Sequence, residues 1–190
     1  MQRMARKAAV LMAAAVLVAA LSGATLAVGP HAGVPQEELQ GTATAIFFKG
    51  GVTEGLHPGL GIDIQYGLAQ KMALTCNLIY PLGSVELPNL GHYGIQWQVN
   101  KYAAFYGGLK SRAISGSTVE LGPEVGAVLN LQVGYAVVLG AIRTARLDSG
   151  TKNEFLLGVE FPFGYRTDLL FAYQEIEEHP AYTVGLNYAF

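Results

Sequence analysis

Charged side chains are scarce in this sequence. They make up 14% of its 190 residues, whereas an average soluble domain has about 25%. Disordered chains, coiled coils and nucleic-acid-binding domains all need denser charge, so the composition argues against these three classes. Lys and Arg number 12 against 14 Asp and Glu, which gives a formal net charge of −2 and no basic field that would attract phosphates. We therefore expect no nucleic-acid partner.

Cysteine is almost absent as well. Cys76 is the one cysteine in the chain, which excludes an intramolecular disulfide and a cysteine-based metal cluster. His57 and His179 have no second metal-ligating residue at a characteristic spacing. The sequence therefore predicts no metal site and no cofactor.

Long apolar runs are limited to the N-terminus. Three cations precede a charge-free segment over 8–21, and small residues continue to Ala27. This order is typical of a secretory signal peptide, so we predict a signal over 1–27 that is cleaved after Ala27 or, alternatively, after Ala24. An uncleaved helical anchor is the other reading, because the apolar stretch approaches about 20 residues.

The rest of the chain alternates between apolar and polar residues. In 60–68 one face is wholly apolar, while the other holds Gly, Asp and Gln. A period of two places the two sets on opposite faces of a β-strand. We therefore predict a short periplasmic lead over 28–39 and a β-barrel over 40–190. The ten predicted strands are 42–49, 60–68, 72–80, 92–100, 102–110, 119–131, 133–141, 155–163, 169–176 and 182–190.

Three strands have apolar residues on both faces. Apolar residues occupy both faces of 42–49, 102–110 and 169–176, which leaves these registers open; for 102–110 we favour Phe105 and Leu109 outward and Lys110 inward. An eight-stranded barrel is the alternative if these segments pair differently. For 133–141 we expect an outward apolar face. That face would consist of Val133, Tyr135, Val137, Leu139 and Ala141, with Gly134 and Gly140 inward.

Short turns and longer loops also alternate. Turns are predicted at 69–70, 100–101, near Leu131 and at 165–168. Longer loops are predicted at 50–58, 81–91, 111–117 and 143–152, with 177–180 a shorter member of the same set. Short turns at one end and longer loops at the other are typical of bacterial transmembrane barrels, whose strands are about nine to eleven residues long.

The character of the two faces favours a lipid environment. A soluble sheet would carry many Lys and Glu on its polar face, but here that face is mostly Gly, Ala, Thr, Asn and Gln. Aromatic residues near strand ends resemble interfacial girdles: they are Tyr66, Tyr80, Tyr93, Phe155, Phe163, Tyr182, Tyr188 and Phe190. The predicted fold class is thus all-β, a transmembrane antiparallel up-and-down β-barrel. A soluble periplasmic lipocalin-like binding barrel is the alternative.

The last eight residues carry a more specific pattern. They read polar, x, Gly, x, x, aromatic, x, aromatic, through Thr183, Gly185, Tyr188 and the terminal Phe190. This resembles the C-terminal β-signal of Gram-negative outer-membrane barrels, and the whole mature chain resembles the small outer-membrane β-barrel class. The resemblance implies an outer-membrane location, contact with outer-membrane lipid, and assembly by the barrel-assembly machinery with periplasmic chaperones. We expect a monomer.

The inward polar residues suggest what the lumen could do. We predict that it is lined by Asp63, Gln65, Thr75, Asn77, His92, Gln96, Gln98, Lys110, Glu120, Glu124 and Glu160. Ten strands lie near the size at which side chains fill the interior, so we expect a structural barrel or a narrow passive pore with a weakly acidic lumen. We expect an exposed acidic tip at Glu175, Glu177, Glu178 and His179.

An enzyme is the second functional class to consider. Barrel enzymes that act on lipid A or peptide need a base near the extracellular mouth, and His92 is a weak catalytic candidate there. No triad spacing accompanies it, so catalysis is the less favoured reading.

Overall fold

The computed structural model describes residues 39–49, 55–82, 87–113 and 119–189. The predicted signal peptide, nearly all of the lead, and Phe190 lie outside these residues. The described chain forms ten antiparallel strands in which each pairs with the next, and the first pairs with the last to close a barrel. The strands are β1 (Leu39–Lys49), β2 (Leu56–Ala69), β3 (Met72–Pro81), β4 (Asn89–Asn100), β5 (Ala103–Ala113), β6 (Glu120–Val133), β7 (Ala136–Leu147), β8 (Gly150–Gly164), β9 (Thr167–Ile176) and β10 (His179–Ala189).

This architecture confirms the all-β, up-and-down, ten-stranded prediction, and the eight-stranded alternative is wrong. No helix among the described residues is long and apolar enough to cross a bilayer.

The period-two pattern places polar residues inside and apolar residues outside. In β2, Asp63 and Gln65 are buried, while Tyr66 on the opposite face is exposed. Large apolar side chains stand exposed on all ten strands; the most exposed within strands include Phe163, Val125, Phe105, Leu129, Trp97, Leu121 and Ile142. A soluble barrel buries such residues, so this distribution is the reverse of a water-soluble protein.

The structure settles the three open registers. In β1, Thr42, Thr44, Ile46 and Phe48 point inward. In β5, Lys110 is inward while Phe105 and Leu109 face outward, as favoured from the sequence. In β9, Leu170 and Gln174 are inward and Phe171 is outward.

The predicted face of the seventh strand is wrong. Leu139 and Ala141 are buried in the lumen, whereas Ile142 is exposed outside. Apolar residues occupy both faces of this strand, so periodicity does not decide its orientation. The polar partner does, because the register that turns Leu139 inward also brings Arg143 next to the lumen carboxylates Glu124 and Glu154. Gly134, expected inward, lies in a turn with φ +62°. Gly140, also expected inward, lies outside the lumen, where a Cβ atom would meet open space.

Two predicted connections are also wrong. The segment 143–152, expected as a long loop, is mostly strand: β7 and β8 are joined by a two-residue turn at 148–149, followed by Gly150 with φ +116°. The turn expected near Leu131 lies at 134–135 instead.

The β9–β10 connection at 177–178 is equally short. Both Glu177 and Glu178 have positive φ, of 50° and 75°. Paired positive φ values are usual in two-residue hairpin turns, although Glu adopts them less readily than Asn or Gly.

Two apolar clusters pack inside the barrel. One lies near the loop ends of its strands and contains Ile46, Phe48, Ile79, Leu90, Ile176 and Ala181. The other, on strands β5 to β9, contains Ala104, Val128, Leu139, Ala141, Leu156 and Leu170. Much of the remaining interior is polar, and this polar part carries the candidate site.

Candidate functional site

The predicted lumen residues line the interior of the barrel. Nine of the eleven are buried, with at most 6% of each residue exposed: Asp63, Gln65, Thr75, Asn77, His92, Gln96, Lys110, Glu124 and Glu160. Gln98 and Glu120 are half-buried, near opposite ends of the barrel. The interior is therefore polar but largely closed to water around these side chains.

One part of the polar interior is neutral apart from Asp63. It is formed by β10, β1, β2 and β3 together with Gln174 of β9. Thr42 Oγ1 donates to Asn187 Oδ1 at 3.2 Å, and Asn77 Nδ2 donates to Asp63 Oδ2 at 3.3 Å. Gln174 of β9 donates its amide to the Thr183 hydroxyl. We call this the amide wall.

The other part is charged, and we call it the ionic cluster. It consists of His92, Lys110, Arg112, Glu120, Glu124, Arg143, Glu154 and Glu177. All but Glu177 lie on β4 to β8. Its three guanidinium or ammonium groups face four carboxylates, with His92 as the eighth member.

Lys110 forms the centre of the ionic cluster. Its side chain is fully buried, and Nζ lies 2.6 Å from Glu154 Oε1 and 2.7 Å from Glu177 Oε1. Burying an ammonium group is costly unless opposite charges and hydrogen bonds compensate for the loss of water. Two carboxylates supply that compensation here.

Arg112 links the cluster to the rim of the barrel. Its Nε donates to Glu177 Oε2 at 2.8 Å, and its Nη1 lies 3.3 Å from Glu120 Oε2. Ser149 Oγ donates to the same Glu120 oxygen at 2.8 Å. Because Ser149 lies in the β7–β8 turn, this contact ties a hairpin end to the cluster.

His92 lies between two carboxylates. Its Nδ1 is 2.9 Å and 3.1 Å from the two oxygens of Glu124, and its Nε2 is 3.5 Å from Glu154 Oε2. Nε2 is buried and has no hydrogen-bond partner. Arg143 completes this side of the cluster, with its guanidinium 5.3 Å from the centre of the Tyr106 ring.

Sequence reasoning missed four members of the ionic cluster. Arg112, Arg143 and Glu177 fell in predicted loops, and Glu154 lay between a predicted loop and a predicted strand. The expectation that Glu177 belongs to an exposed acidic tip is wrong, because it is buried against Lys110 and Arg112. One signal could have found the Arg143–Glu154 pair: Asp148-Ser149-Gly150 is a turn sequence, and a hairpin centred there places these two residues opposite each other.

The surroundings of His92 do not favour catalysis. The residue is 1% exposed, and both of its ring nitrogens face carboxylates. Ser111 lies on β5, which pairs with the strand of His92. Its hydroxyl donates to Gly91 O at 3.4 Å, not to His92. A substrate would have to displace buried ion pairs to reach the imidazole.

Small gaps remain in the polar interior. One of about 30 Å³ is lined by Asn77, Arg143, Glu154 and Gln174, among others. Another of about 10 Å³ lies beside Asp63, Gln65 and Tyr106. The first exceeds the roughly 10–15 Å³ that a cavity needs to hold one water molecule, and the second is at about that limit.

Most of the predicted assembly signal is part of β10. Thr183 points inward and is 1% exposed. Gly185 is buried so closely against β1 that a Cβ atom there would lie 2.4 Å from Thr44 Cγ2. Tyr188 is half-buried.

Comparisons with known proteins find similarity in structure. A de novo designed transmembrane β-barrel aligns over 82% of this chain and 98% of its own, with 9% identity and a TM-score of 0.42. A mutant of the Rh. blastica porin aligns over 70% of this chain and 45% of its own, with 17% identity and a TM-score of 0.37. This chain thus spans less than half of the porin. No family model and no curated protein match the sequence.

Proposed function

We propose that this protein is an integral outer-membrane β-barrel whose lumen is closed by its own side chains, so that it forms a structural barrel and not an open pore. The observation that carries the proposal is the burial of the polar lumen residues. Water in an open channel would contact the side chains that line it, yet Asp63, Gln96, Lys110 and Glu124 are at most 2% exposed.

Membrane insertion is supported by the exterior. Thirty large apolar residues are exposed on the described surface, far more than the patches a soluble monomer leaves in water. Tyr135 and Tyr165 stand at the short-turn end, where 90% and 86% of their surface is exposed. Aromatic rings at this depth suit the headgroup region. A soluble lipocalin-like barrel would bury its apolar face instead.

Closure of the lumen is supported by its packing. Barrels of about eight strands have interiors that side chains can fill, whereas those of 16 to 18 strands leave an aqueous channel. Here Phe48, Leu139 and Leu170 are buried in the interior together with the ionic cluster and the amide wall. Apolar and paired polar side chains therefore share the space that a pore would need.

The outer membrane is the compartment we propose. The signal-like N-terminus and the C-terminal pattern Thr183, Gly185, Tyr188 and Phe190 support export and assembly by the barrel-assembly machinery with periplasmic chaperones. The closed hydrogen-bonded ladder from β1 to β10 leaves no free edge strand among the described residues, which supports a monomer.

Two measurements on the mature chain test the proposal. Membrane insertion predicts that the protein fractionates with outer membranes, resists alkaline extraction, and migrates differently on gels before and after boiling. Recovery in the soluble periplasmic fraction would overturn it.

Conductance tests closure separately. In planar bilayers the folded protein should give no steps above the background of empty bilayers. A matched variant, Phe48→Gly with Leu139→Gly, removes one large side chain from each apolar cluster and should raise the frequency of current steps. Regular cation-selective steps from the unaltered protein would replace closure with the second candidate, a narrow acidic pore, which the surplus of carboxylates in the ionic cluster favours.

A further inference from the structure

We propose that His92 and Glu154 bind one transition-metal ion of the Zn²⁺ type inside the barrel, between His92 Nε2 and Glu154 Oε2. His92, Glu124 and Glu154 offer ligand atoms that all lie within 4.8 Å of one another. The proposal concerns the lumen itself and holds whether or not the barrel conducts.

The unpartnered imidazole nitrogen is the first observation. His92 Nε2 is buried, has no hydrogen-bond partner, and points towards Glu154 Oε2 at 3.5 Å. Zinc bonds to His nitrogen and carboxylate oxygen are about 2.0–2.1 Å long, so two such ligands in a tetrahedral site lie about 3.4 Å apart. The observed separation is close to this spacing and too long for a good hydrogen bond.

Glu124 prepares His92 for metal binding. Its oxygens lie 2.9 Å and 3.1 Å from Nδ1, and an ionised carboxylate can only accept, so the proton is on Nδ1. In the neutral imidazole the lone pair is then on Nε2, which faces Glu154. A carboxylate that holds the far nitrogen of a ligating histidine is the usual arrangement around protein-bound zinc.

Charge in the cluster also suits a dication. Lys110 occupies Glu154 Oε1, which leaves Oε2 towards His92. Asp63 acts electrostatically on Arg143 together with Glu124 and Glu154. With Asp63 included, five carboxylates face three cations, an excess of two negative charges when His92 is neutral.

Space for a bound water lies beside Glu154. The gap of about 30 Å³ is lined by Glu154, Asn77 and Gln174, whose amide groups can hydrogen-bond a metal-bound water. Imidazole and carboxylate together suit Zn²⁺ or Co²⁺, whereas Ca²⁺ and Mg²⁺ prefer oxygen ligands alone.

The test uses untagged, folded mature protein in detergent micelles, stripped with chelator and then titrated with Zn²⁺ in a calorimeter. We expect one ion per chain. His92→Gln should abolish binding, and Glu124→Gln should weaken it about 10- to 100-fold, the usual loss when the partner of a ligating histidine is removed. His57→Gln, His179→Gln and Glu160→Gln, which lie outside the site, should bind as the unaltered protein does.

Several outcomes would overturn the proposal. Absence of saturable Zn²⁺ binding to the folded protein would be the first. Binding that survives His92→Gln, or that is lost in His179→Gln, would place the ion elsewhere. If His92→Gln does not show the gel mobility of a folded barrel, the unaltered protein is loaded with Co²⁺ instead. Bound Co²⁺ must then give the visible absorption of a nitrogen-ligated tetrahedral site. Lack of this absorption counts against the proposal.

Discussion

The two sides of the lumen compensate their buried polar groups for the loss of water in different ways. The ionic cluster buries full charges that depend on each other, as Lys110 does on Glu154 and Glu177. The amide wall uses mainly neutral groups, such as Thr42 with Asn187, whose loss leaves a smaller desolvation cost. Interior polarity in this barrel is therefore not uniform: we expect the ionic cluster to be sensitive to the loss of single side chains and the amide wall to be tolerant.

Replacing Lys110 by Met should have the largest effect on stability. The change leaves Glu154 and Glu177 facing each other in the interior without their shared cation, and removal of one partner from a buried ion pair costs about 3–5 kcal/mol. We expect a loss of that size in the free energy of unfolding, measured by urea titration in detergent. A loss below about 1 kcal/mol would show that Lys110 is reached by water.

Replacing Glu177 by Gln should have an intermediate effect. The amide retains the shape of the side chain but loses its charge towards Lys110 and Arg112, and hydrogen bonds to charged groups contribute about 1.5–3 kcal/mol. The neighbouring Glu178→Gln is the matched control, because Glu178 is exposed in the same turn and should change stability by less than about 0.5 kcal/mol. Equal effects of the two substitutions would contradict the buried position of Glu177.

Replacing Thr42 by Val should have the smallest effect. It removes one hydroxyl from the amide wall at nearly constant volume and leaves Asn187 Oδ1 without this donor, for which we expect about 1 kcal/mol. The same urea titration measures it. If this variant proves as unstable as Lys110→Met, the two sides of the lumen do not differ as described.

Prediction from the sequence succeeded where each face of a strand has one character. Strand β2 alternates without exception over 60–68, and its inward residues Asp63 and Gln65 follow directly from that pattern. The pattern also placed His92, Lys110 and Glu124 inside. It could not show that His92 contacts Glu124 or that His92 and Lys110 share Glu154.

It failed where tertiary contacts override the pattern. Leu139 and Ile142 both lie in an apolar stretch, and only the need to pair Arg143 with lumen carboxylates decides which of them turns inward. Glu177 resembles any charged hairpin tip in sequence, and its burial depends on Lys110 and Arg112, more than 60 residues away. The signal peptide and the cleavage site stay predictions.

Closure of the barrel by β1 has a consequence for how its backbone exchanges with solvent. β1 pairs with β10 at nine positions, and its pairs with β2, from Leu39 with Tyr66 to Lys49 with Leu56, keep one register. Both edges of the strand are therefore hydrogen-bonded, and local opening governs the exchange of amide protons with solvent. Deuterium should enter the β1 amides no faster than those of β6 and β7, so the first described strand should not fray as a chain end does.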